Sequence, residues 1–467
     1  MIKVTELNPI YSRISDPYMV KELLSFQKEY WKKLNYGKQR QEYPKYLVDT
    51  KGIFLSGFLP KIFSYLKEIG EEYFFEGLDY DLSIEPEPSL SGITFREDQL
   101  LQIKSALQSK RGVLLAPTGV GKTILISGLI SCFPTHRILF LVHTIDLVNQ
   151  TIEEFKRFGF DSISKVGDGE KDCSGRIVVS SIQSFSKLNI EDYCDKFDVV
   201  LVDEAHHCSG FPEKRKPSGG LYYRVLSNLL APMRFALTAT LPTDQETKLC
   251  LEGLIGNVVS ELSFEDATDM KILAAPKIQL IKIDPFVNDD ARTYADIYDK
   301  AIVENKIRNR LILRTIRQLN KQGLSTVTYV QRTKHISNLM EMAKETKTEL
   351  HNVQGSTEAD LRMELKNDLH HKKIMNVVAT SVWTEGLNIP SLNAIILGGG
   401  GRDQKELIQK IGRGSRKHTD KNSFVVCDFI DSAKYLSQHF CERLGVYIER
   451  GWTINEKRIK DVGRTKT

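Results

Sequence analysis

Short runs in which nearly every position is apolar recur through the middle of the chain, at Val113–Leu115, Ile138–Val142, Ile177–Ser180, Val199–Val202 and Phe235–Leu237. A strand covered on both faces needs no polar side, so such runs predict a parallel sheet with helices packed on each face. Helical periodicity fills the intervals, for example at Ile124–Cys132 and Asp146–Phe158. A second βα series follows Pro276. Its expected strands are Thr326–Val330, Met375–Ala379, Ala394–Leu397 and Phe424–Cys427, with helices at Ile302–Leu319 and His335–Thr346. The pattern predicts an α/β protein with two tandem parallel sheets and flanking helices.

The first 83 residues follow another pattern, mixing aromatic and basic positions: Tyr30-Trp31-Lys32-Lys33, Tyr36, Lys38, Arg40, Tyr43, Lys45 and Tyr46. Glu85-Pro86-Glu87-Pro88-Ser89 reads as a linker. The expected division is an accessory domain over residues 1–90, a first lobe over 91–272, a second over 273–450 and a basic tail over 451–467 that frays.

Composition narrows the classes. The 467 residues are 41% hydrophobic and 27% charged, as in an ordinary globular protein. Net charge is only +5, so a nucleic-acid surface must be a local patch. The cysteines are odd in number (seven) and scattered, with no Cys-x-x-Cys pair, which argues against a disulfide framework or zinc site and for a reducing, cytoplasmic setting. Met1–Ser15 is polar and broken by Pro9, unlike a signal peptide, and no apolar run is long enough to span a membrane.

The strand at Val113–Leu115 runs into Ala116-Pro117-Thr118-Gly119-Val120-Gly121-Lys122-Thr123 and then an apolar helix. Strand, glycine loop and helix form a phosphate cradle. Glycines let main-chain N–H groups approach phosphate oxygens, and the helix N-terminus adds partial positive charge. Lys122 is placed to reach the β- and γ-phosphates, and the Thr123 hydroxyl to ligate Mg²⁺. Ala116 stands where this pattern most often has glycine.

Val199–Val202 leads into Asp203-Glu204-Ala205-His206, setting two acids at the C-terminal end of a buried strand, where α/β sheets bind ligands. Asp203 is expected to hold Mg²⁺, and Glu204 to orient and deprotonate the attacking water. Asp-Glu after a strand also suits a helix N-cap, a reading that weakens once Lys122 precedes it in the right order.

With these blocks in order, residues from about Ile93 to Ser432 resemble superfamily 2 helicases and translocases of the Asp-Glu-Ala-His type. The resemblance implies two RecA-like lobes and the small N-terminal α/β domain, with ATP and Mg²⁺ as cofactors. Arg96 and Gln99 look like the adenine-reading element, although a surface Gln on a helix reads the same way. Thr144 and Gln150, with Gln183 and Ser184, resemble first-lobe blocks that contact a nucleic-acid backbone; each also suits a capping motif. Thr238 and Thr240 resemble the block that couples ATP state to strand movement, with His206 beside it; a structural turn is the alternative.

In the second lobe, Gly355 and Arg362 resemble a backbone-contacting segment. The block from Ala379 to Pro390 resembles one that faces both nucleic acid, through Thr380, and nucleotide, through Gly386. Gln409-Lys410-Ile411-Gly412-Arg413-Gly414-Ser415-Arg416 is similar to the Gln-x-x-Gly-Arg-x-x-Arg block. There the resemblance implies an arginine finger at Arg416, with Arg413 beside it and Gln409 in a coupling role. Gly398–Gly401 is either a mobile loop near the nucleotide or a long turn. Phe211–Tyr223, with Lys214-Arg215-Lys216, is either DNA-facing or a solvated insertion.

A small N-terminal domain, two lobes and a short tail resemble compact bacteriophage helicases of the UvsW type, which implies fork regression and Holliday-junction branch migration. The expected partner is DNA, as branched duplex, and the expected state a monomer in the cytoplasm, that of the host if the protein is phage-encoded. The motor of a restriction system, an RNA helicase, and an ATP-gated switch that clamps duplex without unwinding it remain as alternatives.

Overall fold

The computed structural model describes residues 1–34, 37–80, 82–212, 219–283, 293–380, 383, 389, 391–415 and 423–457; at 30–34, 37, 38, 359, 405, 409, 413 and 457 it describes the main chain alone. The main division of the chain falls between Leu262 and Ser263.

The N-terminal segment folds into strands β1 (Ile2–Glu6) and β2 (Tyr11–Ile14), a hairpin of β3 (Ser25–Leu34) and β4 (Gly37–Tyr46), then β5 (Ile53–Leu55), helix α1 (Leu59–Glu68) and β6 (Tyr73–Glu76). Four of the strands form one sheet in the order β5-β2-β1-β6, and among the described residues the hairpin pairs with no other strand. This small α/β domain packs on the first lobe at very short range. A Cβ on Gly57 would fall 2.1 Å from the Glu252 carbonyl oxygen and 2.5 Å from that of Gly253, so only glycine lets the two backbones meet. Arg111 donates to the Pro9 carbonyl at 3.0 Å, Lys61 pairs with Glu252 at 3.3 Å and Lys28 with Glu246 at 3.1 Å. The aromatic-basic set is partly spent on this docking. Lys45 donates to the Pro212 carbonyl at 2.7 Å and lies over Phe211, on which Phe26 stacks. Arg40 pairs with Glu29, and Lys21 covers the Tyr46 ring. The side chains of Tyr30, Trp31, Lys32, Lys33 and Lys38, and all of Tyr36, lie outside the described residues.

The first lobe runs α2 (Glu97–Ser109), β7 (Arg111–Leu115), α3 (Lys122–Ser131), β8 (Ile138–Val142), α4 (Ile145–Arg157), β9 (Ile163–Gly167), β10 (Glu170–Lys171), β11 (Ile177–Ser181), α5 (Ile182–Phe185), β12 (Val199–Val202), α6 (Leu221–Leu226), β13 (Met233–Thr238), α7 (Gln245–Leu254) and β14 (Val258–Glu261). The sheet order is β10-β9-β11-β8-β12-β13-β7-β14, parallel except where β10 folds back on β9. All five apolar runs of the sequence fall in it. β8, β11, β12 and β13 are buried at every position, which is why their sequences show no alternation. Arg234, fully buried in β13, donates to the carbonyls of Leu226, Leu229 and Leu254 and ties α6 and α7 to the sheet.

The second unit opens with α8 (Phe264–Asp269) and continues through β15 (Ala275–Lys282), α9 (Tyr294–Tyr298), α10 (Lys306–Asn320), β16 (Thr326–Tyr329), α11 (Thr333–Glu345), β17 (His351–Val353), α12 (Ala359–His370), β18 (Asn376–Ala379), β19 (Ala394–Leu397), α13 (Gln404–Gly414), β20 (Ser423–Ile430), α14 (Leu436–Glu449) and β21 (Thr453–Lys457). Its sheet has the order β17-β18-β16-β19-β20-β15-β21, with all pairings parallel. The helix expected over Ile302–Leu319 starts later, at Lys306, because Asn305 caps it by accepting from the Arg308 N–H; a π-helical turn over Asp299–Val303 precedes it. Residues 453–457, set apart as tail in the sequence reading, are instead the last strand. Their polar sequence gives little strand signal, and main-chain pairing with β15 holds them.

The glycine run Gly398–Gly401 is a turn held in place. Arg308, fully buried, donates to the Gly398 carbonyl at 3.1 and 3.2 Å and pairs with Asp431; Tyr298 donates to Gly399 at 2.7 Å; Arg443 donates to Gly401 at 2.8 Å. Arg443 also forks onto both oxygens of Asp428, which accepts from Tyr447 at 2.8 Å. Nearby, His335 is fully buried with Nε2 2.8 Å from Asn309 Oδ1; burial, and then the charge of Arg308, push its pKa down to about 3.

Candidate nucleotide site and motif-bearing loops

Sheet order decides which loops meet. At the C-terminal edge of the first sheet, β8, β12, β13 and β7 lie side by side. Thr144 therefore follows β8, Asp203 and Glu204 follow β12, Thr238 ends β13, and the Ala116–Thr123 loop follows β7. The block of Thr238 and Thr240 falls between the two acids and the glycine loop.

The loop turns on two glycines in the left-handed region, Gly119 at φ 98° and Gly121 at φ 92°, and α3 starts at Lys122 with Thr123 next. Lys122 Nζ lies 3.1 Å from Glu204 Oε1, and both side chains are about nine-tenths shielded. Glu204 itself sits at φ 49°, unusual for a residue with a side chain, and its N–H donates to Asp203 Oδ1 at 2.9 Å. Strain of this kind persists only where the surroundings enforce it, and it collects at functional positions. It aims the glutamate at Lys122. The segment after Glu204 is a single turn, Ala205–His207, and Glu204, at its N-cap position, makes no side-chain cap bond.

Arg96 caps α2, with its guanidinium forked onto Asp98 at 2.8 and 2.9 Å. Gln99 is 3% exposed, so it is no surface glutamine. Its Oε1 accepts from the Arg96 N–H at 3.1 Å, while its Nε2 is buried with no hydrogen-bond partner among the described residues. A Cβ added to Gly121 would lie 3.2 Å from that Nε2. A buried amide with an unmet donor, beside a turn only glycine can make, fits an adenine nucleotide: the amide can donate to the base while the loop N–H groups take the phosphates. Thr123 and Asp203 are a hydroxyl and a carboxylate, the hard oxygen donors Mg²⁺ takes.

His206 Nδ1 lies 3.1 Å from Thr238 Oγ1 and 3.4 Å from Glu204 Oε2; the Thr238 hydroxyl in turn donates to the Thr240 carbonyl at 2.9 Å. One chain of contacts thus joins the acid of β12 to the turn after β13. The chain of contacts extends further than the motif pattern predicts. His207 stacks on His143, with ring centroids 4.0 Å apart at the start of the Thr144 block, and lies tilted against His206 at 4.1 Å. The doubled histidine at 206–207 was the available signal.

Of the residues read as contacting nucleic acid, Thr144 begins α4 without a side-chain cap bond, while Gln183 and Ser184 follow the neighbouring strand β11. Ser181 takes the capping role there, accepting from the Ser184 N–H at 3.1 Å, and Gln183 is left exposed. Gln150 reaches Glu154 at 3.1 Å. In the second unit the Thr380 N–H donates to the Val353 carbonyl at 3.3 Å, which brings the loops of Thr380 and Gly355 together at one edge; Arg362 lies on α12. Gly386 and Arg416 lie outside the described residues, as does most of the Lys214–Lys216 loop. Gln409 and Arg413 are placed in α13 by their main chain only.

Among the described residues no cluster of His, Cys, Asp and Glu is arranged to hold a metal, and no helix is long and apolar enough to cross a membrane. No disulfide joins the cysteines.

Two parallel α/β sheets, the first with a glycine phosphate loop beside an Asp-Glu-x-His strand end, define a two-lobed nucleotide-driven motor. The chain belongs to the superfamily 2 helicases: residues 92–243 match the family of the type III restriction enzyme res subunit, and residues 308–418 match the helicase conserved C-terminal domain. It is similar to the DNA 3'-5' translocase XPB2 of Sulfurisphaera tokodaii, at 24% identity over 72% of this chain and 81% of that protein. It is also similar to the ATP-dependent DNA helicase uvsW of Enterobacteria phage T4, at 24% identity over 76% of this chain and 75% of that protein. A fragment of an HsdR subunit of a type I restriction enzyme from Vibrio vulnificus YJ016 shares the fold, with a TM-score of 0.58 and 17% identity over 93% of this chain and 92% of that one. The two helicase domains and relatives named for ATP dependence support an ATP-driven helicase.

Proposed function

We propose that this protein is an ATP-dependent DNA helicase or translocase that remodels branched duplex, by fork regression and branch migration of four-way junctions. The observation that carries the motor reading is the Lys122–Glu204 pair at 3.1 Å, joined through His206 to Thr238. Lys122 binds phosphate oxygens, and Glu204 takes the proton of the attacking water. Gln99 reads adenine with its unmet amide donor. Thr123 and Asp203 hold Mg²⁺, which supplies charge neutralisation at the phosphates. Arg413 and Arg416 act on the phosphoryl group as the resemblance of their block implies, with Gly386 and Gln409 in supporting roles. His206, Thr238 and Thr240 pass the state of that site to the loops of Thr144, Gln183 and Ser184; Gly355, Arg362 and Thr380 hold the backbone in the second lobe.

DNA as the substrate is supported by relatives named as a DNA translocase and a DNA helicase. The branched form rests on the resemblance to the UvsW type. The domain reading that accompanies this function is an accessory domain over 1–90 followed by lobes over 91–272 and 273–450.

The test is ATP-dependent conversion of a labelled four-way junction to duplex products by the intact protein, beside Lys122→Ala. Conversion by the wild type and none by the variant support the reading. A wild type that hydrolyses ATP and binds the junction without converting it marks a switch in place of a motor.

A further inference from the structure

Between Asn305 and Met340 the chain has eight lysines and arginines and no aspartate or glutamate, a local excess larger than the +5 of the whole protein. Three of them pair with acids outside that stretch. Arg308 is buried on Asp431, Arg332 reaches Asp299 at 3.4 Å and Lys334 reaches Glu304 at 2.5 Å. The rest lie on α10 and its C-cap. Arg310, Arg314, Arg317 and Lys321 follow one another at intervals of four, three and four residues, which sets them on one helix face over roughly 16 Å. The opposite face is the apolar one, with Ile312, Ile316 and Leu319 in the core.

Arg310, Arg317 and Lys321 are exposed, and among the described residues none has a carboxylate within ion-pair distance. With Ile307 and Thr346 these cations line a surface groove of about 500 Å³. Holding like charges in a row costs electrostatic free energy, and nothing in the packing of α10 requires it, since the core face is complete without them. A row of cations along a straight rod is the complement of a line of phosphates, which in a duplex strand recur about every 3.4 Å of axis. The row is also separate from the second-lobe segments read as contacting the motor's own strand. α10 packs on α11 and β16, whereas Gly355 and Thr380 follow β17 and β18 and Arg362 lies on α12.

We propose that the α10 face is a second duplex-binding surface, which holds one arm of a branched DNA while the motif-bearing loops engage another. This rests on the reading of the protein as a DNA motor. It supplies what that reading lacks, a physical reason for preferring a branch to a linear duplex. Phosphate contacts of this kind carry no sequence information; they position a second helix.

The test compares the wild type with the triple variant Arg310→Ala, Arg317→Ala, Lys321→Ala and with a charge-retaining control, Arg310→Lys, Arg317→Lys, Lys321→Arg. Binding of a four-way junction and of a linear duplex with the same arm length is measured from low to physiological salt, alongside ATP hydrolysis stimulated by the linear duplex. The wild type should favour the junction. The alanine variant should lose about tenfold or more of its junction affinity, with a salt dependence shallower by about 2 to 3 in log–log slope, near 0.9 per contact. Its linear-duplex affinity and stimulated hydrolysis should stay as they were, and the control should behave as wild type. Unchanged junction binding overturns the proposal, as does an equal loss on linear duplex, which would put these cations on the motor's own track. A wild type that binds no DNA overturns the proposed function itself, and the two failures are distinct.

Discussion

Lys122 Nζ and Glu204 Oε1 lie 3.1 Å apart, so the group proposed to grip phosphate and the group proposed to activate water are partners in one ion pair. Any phosphate that reaches Lys122 competes with Glu204 for it. Glu204→Gln should therefore stop hydrolysis while tightening ATP binding, by about fivefold for about 1 kcal/mol of released pairing. Lys122→Ala should lose both. Binding of a fluorescent ATP analogue, beside steady-state hydrolysis, checks the opposite signs.

The Thr238 hydroxyl is the joint between His206 and the turn at Thr240. Thr238→Val keeps the shape and removes the joint. ATP hydrolysis should survive within a few-fold while junction conversion per ATP falls by about tenfold or more. Equal losses in the two assays would make Thr238 part of the chemistry and no link.

Gly57→Ala should separate the N-terminal domain from the first lobe, since the added carbon would sit 2.1 Å from a main-chain oxygen, too close for either backbone to stay in place. We expect a cost of about 2 kcal/mol or more, as for other severe overpacking. Faster proteolytic cleavage around Glu85–Ser89 reports it.

His335 is neutral in the folded protein, with its pKa pushed down to about 3. The unfolded chain binds a proton there near the ordinary histidine value of about 6.5, so below that pH the unfolded state holds more protons and the fold loses stability. The loss should run at up to about 1.4 kcal/mol per pH unit as pH falls from 6.5 toward 3. His335→Gln, which can keep the bond to Asn309, should flatten the pH dependence of urea unfolding between pH 6 and 4.

Both sheets were legible because their central strands are buried on two faces and therefore uniformly apolar. The strands that escaped notice are edge or near-edge ones, such as β9, β10, β17 and β21, where polar residues at incompletely buried positions break the apolar run. At the nucleotide site, Lys122, Thr123, Asp203 and Glu204 were readable because each follows a strand at fixed spacing. The burial of Gln99 was not, since the turn at Gly121 that lies against its amide belongs to another element. The clamping of Gly398–Gly401 depends on Arg308 and Arg443, distant by 90 and 42 residues, and no local pattern signals such bonds.

The account rests on ATP hydrolysis driven by DNA. The most direct measurement is the steady-state hydrolysis rate of the intact protein with a four-way junction, linear duplex, single-stranded DNA and RNA at matched nucleotide concentration. The account predicts the largest stimulation by the junction, with Glu204→Gln inactive on every substrate. Preferential stimulation by RNA, or a Glu204→Gln variant that still hydrolyses ATP at the wild-type rate, would contradict it.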